Sequence, residues 1–406
     1  MSKHSSKATS RSNATTAVAP AGATKSSRLL SLDVLRGITV AGMLLVNNPG
    51  SWGSIYAPLE HAEWIGLTPT DLVFPFFVFV MGVSMAFSLR AFDYKPSGAV
   101  LYKIIKRTII LFLIGWAVGW FSHLMYGLHR GDPFAVAVNN IPTIRILGVF
   151  QRLALCYLCG SLIAISVKHK SLPWLTALIL TGYALLLGFG KGYEFSLDNI
   201  IARVDNAVLG ENHMYHERAF GEKIAFDPEG LLSTIPCIAH VLIGFMTGLM
   251  LLRIKDNSER MQQMLLWGFV MMLVAWLLGY GIPVGKKMWS STFVLATCGL
   301  AMSVSGLLTW VIDIKGKNRW CRPLQAFGMN PLAIYTLGTV LAIVFNTVTL
   351  CHDINGKAVT VHSAIYDGYC ALMADKAASA LFAITFVAIN YIVAHILMKK
   401  KIYIKI

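Results

Sequence analysis

Charge is scarce in this chain. Only 14% of its 406 residues are Asp, Glu, Lys or Arg, where a soluble domain carries about 25%. Too few charges remain to cover a water-facing surface, which excludes a cytosolic enzyme and a disordered protein. Acids are scarcer still, at 20 against 35 Lys and Arg. Cysteine is sparse: seven residues are spread along the chain, too few and too scattered for a disulfide framework. Cys156 and Cys159 form a CxxC inside an apolar run with no second pair, so no zinc site is expected. Cys351 and Cys370 share one loop, where they either pair or stay free. No 20–50-residue repeat is visible, and the net charge of +15 needs no nucleic-acid partner once the basic residues are located.

What is abundant is hydrophobicity. Apolar residues make up 56% of the chain and the mean hydropathy is +0.61. Residues 1–28 are Ser, Thr, Ala and basic residues without an acid, and read as a disordered cytoplasmic tail. From 29 to 406 the chain reads as one transmembrane domain with ten apolar segments, at 30–48, 71–90, 106–125, 146–167, 172–190, 231–252, 264–283, 289–312, 326–346 and 378–398. Each meets the roughly 17–25 residues that a helix needs to cross the hydrocarbon core. Continuous runs, not ten-residue alternations, select helices over a barrel. The expected fold is an all-α polytopic bundle with outer loops near 49–70, 126–145, 191–230 and 347–377.

Orientation follows from the cations. With the N-terminus inside, 23 of the 35 Lys and Arg fall on inner segments and nine on outer loops. Both termini are therefore expected in the cytoplasm. The acids run the other way, with eight between Glu194 and Glu229 alone. An acidic outer rim suits an amine-bearing substrate as well as it suits plain solvation.

The loop from Asn47 to Asp71 contains no Lys or Arg but holds Asn47, Glu60, His61, Trp64 and Asp71. Asp71 opens a very apolar helix, where a carboxylate complements the N-terminal dipole and can also accept a ring N–H from His61. Histidine suits proton transfer near neutral pH. Asp33 and Arg36 stand three apart at the start of the first segment, able to pair on one helix face. Arg145, Gln151 and Arg152 lie at the start of the fourth. An arginine as deep as Arg152 costs at least about 2.5 kcal/mol unless it has a partner or faces water. It is expected to line a cavity and meet an anion, or to form a structural ion pair.

These residues fall into motifs: Ser31-Leu-Asp33-Val-Leu-Arg36-Gly37, Val46-Asn47, His61-Ala-Glu-Trp64-Ile-Gly66-Leu-Thr68-Pro-Thr-Asp71, Arg145-Ile-Leu-Gly148-Val-Phe-Gln151-Arg152, Asp227-Pro228-Glu229-Gly230 and Gly328-Met329-Asn330. In this order the chain resembles the membrane acetyltransferases related to heparan-α-glucosaminide N-acetyltransferase. The resemblance implies acetyl-CoA as co-substrate, no metal, and transfer of acetyl from the cytoplasmic side to an outward-facing amino sugar or other glycan. It places the catalytic histidine at His61 and the loop asparagine at Asn47. Asp33, Arg36, Arg145, Gln151, Arg152 and Asn330 become candidates for the CoA side, and Glu60, Trp64, Asp227 and Glu229 for the acceptor side. A homodimer and a bacterial inner membrane are further expectations.

The chemistry expected is removal of the acceptor's proton by His61, oriented by Asp71, with Asn47 donating to the oxygen that gains charge. An acetyl-His61 intermediate is the two-step alternative. The rival class is a secondary transporter or flippase for a small glycan. Its usual paired broken helices are not matched by Pro75 of the second span and Pro236 of the sixth, which do not correspond in a five-plus-five division.

Overall fold

Every one of the ten apolar segments folds as helix. In chain order the helices are α1 Leu30–Val46, α2 Val73–Leu89, α3 Gly98–Arg130, the short α4 Phe134–Val138, α5 Val149–Ser166, α6 Leu172–Phe189, α7 Ile200–Leu209, α8 Leu231–Arg253 and α9 Asn257–Leu278. They continue with α10 Ser291–Leu308, extended by a π-helical turn Thr309–Ile314, then α11 Arg322–Met329, α12 Pro331–Thr347, α13 Val361–Cys370 and α14 Asp375–Lys399. The computed structural model describes residues 29–139 and 141–404, so the tail expected over 1–28 lies outside it.

The helix count is where the structure differs from the expectation. Among the described residues eight helices are long and apolar enough to cross a membrane, or nine if the pair α11 and α12, bent by 78°, is one span. Helix α1 has 17 residues, about 25 Å at 1.5 Å per residue, the lower end of what a crossing needs. The break between α11 and α12 falls at Asn330-Pro331: proline cannot supply a helical N–H and restricts the residue before it. Helix α3 also runs to Arg130, beyond the expected 125, ending at Gly131 in the left-handed region.

Small residues decide which helices touch. Helix α2 is apolar all round and correspondingly buried on every side. It crosses α8 where Gly82 and Gly244 meet: a Cβ on Gly82 would overlap the Val241 carbonyl, and one on Gly244 the Phe79 carbonyl. Gly328 does the same for α11, whose backbone lies directly against the Asp33 carbonyl of α1. Helices α3 and α9 bury few residues and present apolar outer faces, including Trp116, Trp120, Trp267 and Trp276.

Two antiparallel hairpins decorate the face that carries residue 61: β1 His216–Ala219 with β2 Glu222–Ala225, and β3 Thr349–His352 with β4 Ala358–Thr360. The first turns on Phe220 and Gly221, both at positive φ (52° and 81°), as a two-residue hairpin requires. At the opposite face Asn330 donates to the Ile402 carbonyl and accepts from Ile404 N–H, pinning the C-terminal segment close to the start of α1. The two ends of the described chain therefore share one face. Cys351 and Cys370 are free thiols.

Valine at Gly82 or Gly244 should force α2 and α8 apart and lower stability by about 1–3 kcal/mol. A thermal midpoint in detergent reads this, with Gly182→Ala, where nothing lies within 4 Å of the added methyl, as a variant expected to lose nothing.

Candidate active site

The loop between α1 and α2 folds back on itself around one carboxylate. Asp71 sits in the single turn Pro69–Leu72 that leads into α2, capped by Thr68. Its Oδ2 accepts from Ala62 N–H at 3.1 Å, Thr68 N–H at 3.2 Å and the Thr68 hydroxyl at 3.0 Å. Its Oδ1 lies 2.6 Å from Nδ1 of His61. With its other lone pairs spent on N–H and O–H donors, the buried carboxylate is an acceptor, so the ring nitrogen facing it is the donor. That fixes the tautomer and leaves Nε2 with a lone pair. The loop is braced by Thr70, donating to the Pro58 carbonyl, and by the Thr68 hydroxyl, whose single proton is shared between Asp71 and the Glu60 carbonyl.

A second loop supplies cations. Residues 279–290 close with Trp289 at φ 50°, where its N–H reaches the Lys286 carbonyl; the Ser290 hydroxyl accepts from Gly285 N–H and caps α10 through Phe293 N–H. This turn sends Lys286 and Lys287 to two neighbours. Lys286 Nζ lies 3.2 Å from His61 Nδ1, 3.5 Å from Nε2 and 3.5 Å from Asp71 Oδ1. Lys287 donates to the Glu63 carbonyl at 2.6 Å and pairs with Glu217 of β1 at 3.1 Å. Burial pulls Lys286 below the ordinary lysine range, against the opposing pull of Asp71 and Glu229. Gly66 N–H, bonded to the Val284 carbonyl, ties the two loops together.

Between these loops, β1 and the approach to α8 lies a cavity of about 180 Å³ lined by His61, Asp71, Arg145, Tyr215, Glu217, Glu229, Lys286, Lys287 and Trp289, among others. Arg145 forms its far wall. The guanidinium stacks over Tyr215 at 5.0 Å and holds Asp227 through Nε at 2.9 Å and Glu229 at 2.7 Å. Burial alone would raise the Glu229 carboxyl, but Arg145, with Arg152 and Lys286, holds the group below its usual range. A larger cavity of about 480 Å³ lies on the other side of Arg145, between α1, α3, α5 and α12, lined by Asn47, Asn48, Trp52, Gln151, Tyr335 and Asn346 among others.

The structure brings some of the sequence candidates together and parts others. His61, Asp71, Arg145 and Glu229 share the smaller cavity, while Asn47 and Gln151 line the larger one. Asp33 and Arg36 pair at 3.1 Å at the opposite face, where Arg36 also donates to Ser84 and the Gly328 carbonyl. Asn330 is there too, spent on the C-terminal segment. Trp64 is 2% exposed: its indole N–H donates to the Tyr193 carbonyl and its rings pack on Phe195 and Phe226. Asp227 is fully buried behind Arg145, and Glu60 is exposed. Arg152 is buried with its guanidinium 5.1 Å from the Trp289 ring, donating to Ser233 and the Gly230 carbonyl; its Nε and one NH₂ find no partner among the described residues. Among the described residues its hydrogen-bond partners include no carboxylate. Sequence reasoning missed Lys286, Lys287, Glu217 and Tyr215. The signal available was the adjacent Lys286-Lys287 pair, the only charged residues of the loop over 279–290.

Comparison with known proteins adds a name at this point. The chain is similar to heparan-alpha-glucosaminide N-acetyltransferase. It is 27% identical to the Mus musculus protein over 368 residues, which is 77% of this chain and 54% of that protein. With the Homo sapiens protein it shares 28% over 364 residues, 76% of this chain and 52% of the other. The chain thus spans about half the length of the curated relatives it matches. No family model matches it.

Beneath the site, buried Asp205 accepts from Leu232 N–H at 3.0 Å and so holds the start of α8. Burial, with the charge of Asp227, raises its carboxyl from 3.8 to about 6. A raised carboxyl binds its proton more tightly folded than unfolded. The folded state is therefore favoured at low pH and loses that advantage as pH climbs from about 4 to 6. Asp205→Asn should escape this loss. Its stability relative to the parent should rise by up to about 3 kcal/mol between pH 4 and pH 7, read from thermal midpoints across that range.

Proposed function

We propose that this protein is a membrane acetyltransferase that moves acetyl from acetyl-CoA to an amino sugar or related glycan, with His61 as the base. The single observation that carries this reading is the 2.6 Å contact between His61 Nδ1 and Asp71 Oδ1 at the wall of a cavity. An imidazole whose Nδ1–H is held by a carboxylate presents Nε2 to take a proton from an amine or hydroxyl, and to return it to the departing thiolate. The similarity to two N-acetyltransferases supports acetyl as the group moved. In this reading the basic end of the bundle faces the cytoplasm, where the polyanionic nucleotide stays, and the acceptor enters at the His61 face. Arg145, shared by both cavities, stands where donor and acceptor compartments meet.

A transport reading draws on the 78° break between α11 and α12, since transporters build sites at interrupted helices. Here the break-point side chain, Asn330, is taken up by the C-terminal segment, which leaves it little to offer a substrate.

In purified protein supplied with acetyl-CoA and glucosamine, His61→Ala should lower the transfer rate by about 10²–10⁴-fold. Asp71→Asn should lower it comparably, by releasing the wrong tautomer. Retained turnover in His61→Ala, or uptake of sugar into proteoliposomes without acetyl-CoA, would overturn the assignment. Labelled acetyl appearing on His61 when the acceptor is withheld would select the two-step route.

A further inference from the structure

We propose that Lys286 is a catalytic residue, whose ammonium binds the acyl oxygen that gains charge when the donor thioester is attacked. The inference rests on the acetyl-transfer reading and names a group that reading does not contain. Such a donor must sit about 2.7–3.1 Å from the developing oxyanion, on the same side as the base and fixed before the reaction begins. Lys286 meets the last two of these demands. Its Nζ lies 3.5 Å from the nitrogen expected to take the proton, on the wall of the same cavity. An acyl carbon under attack beside Nε2 would hold its oxygen within reach of that ammonium. Asn47, the residue the sequence suggests for this task, lines the larger cavity instead.

The electron accounting closes without a further reagent. The acceptor's lone pair forms the new bond to the thioester carbon, and the C=O π pair moves onto oxygen beside Lys286. The acceptor proton passes to His61 Nε2. Collapse restores the carbonyl and breaks the C–S bond, and the CoA sulfur takes the proton from His61.

The surroundings hold the cation still, and the carboxylates among them oppose the effect of its burial. Asp71 at 3.5 Å faces it from the turn before α2 and His61 from its own loop. Glu229 opposes it from the approach to α8, and Lys287 is the repelling neighbour. Glu217 and Arg145 complete the charged wall, each already paired, with Lys287 and with Asp227 and Glu229 respectively. The side chain is only 20% exposed, and the hydrogen-bonded turn over 283–290 fixes its backbone. With the ammonium as the active form and burial lowering its pKa, activity should fall as pH rises through a value below the ordinary lysine range.

The test combines kinetics with a spectroscopic signature that needs no turnover. Lys286→Met should lower kcat for acetyl transfer about 10²–10³-fold, with KM for acetyl-CoA within about twofold of the parent; Lys286→Arg should recover part of the rate and hold it to higher pH. In a His61→Ala background, carbonyl-labelled acetyl-CoA bound to the protein should show its C=O stretch moved to lower frequency, and Lys286→Met added to that background should abolish the shift. Lys286→Gln serves both measurements if the methionine variant does not fold. The proposal falls if the carbonyl shift survives loss of the lysine, or if only KM changes, which would mark a donor anchor. It falls equally if the high-pH limb is the same with arginine. If acetyl-CoA gives no bound carbonyl band in any variant, the acetyl-donor reading itself fails. A band that is present and shifted regardless of Lys286 sinks the lysine assignment alone.

Discussion

Everything at the His61 face is organised by the Asp71 carboxylate. It closes the loop after α1 by accepting from two backbone amides and a hydroxyl, starts α2, and grips the imidazole. A buried carboxylate is tolerable only when its lone pairs are met. Each donor that meets them is also a fold constraint on residues 61–71. The geometry of the histidine is thus set by the same bonds that terminate the loop, and the tautomer follows from the acceptor character of its partner.

Around that centre the charges are arranged as opposed pairs. Arg145 faces Asp227 and Glu229, Lys287 faces Glu217, and Lys286 faces Asp71. The cavity is lined with charge yet close to balanced, so it offers strong local fields without a large net potential. Such a site polarises a bound group more than it attracts ions from a distance. The contrast with the larger cavity is chemical: there the polar lining is mostly carboxamide, hydroxyl and ring, and the charge is the shared Arg145.

The helices were legible because lipid imposes a length and a polarity that composition cannot hide. Their ends were not. The sequence pattern extended α1 by two residues and ran one span through Asn330-Pro331, where the chain bends by 78° and Asn330 bonds the C-terminal segment 72 residues away. At the site, His61 and Asp71 could be linked because they belong to one loop and one helix start. Lys286 could not, since its place beside the imidazole is set by a turn 225 residues distant. Trp64 was read as a substrate contact because it neighbours His61 in sequence; packing on Phe195 and Phe226 turns it the other way. Arg152 was expected to meet an anion, and its partners are a hydroxyl, a carbonyl and an indole face.

The ring of Trp289 forms part of the floor of the smaller cavity, and below it Phe74, Phe293 and His240 pack edge to face or tilted at 5.1–5.9 Å. The packed rings place apolar surface directly against the cavity at Trp289. In the proposed reading, with His61 as the base, an aromatic stack in that place would keep the proton exchanged at the ring on one side of a membrane that holds a voltage.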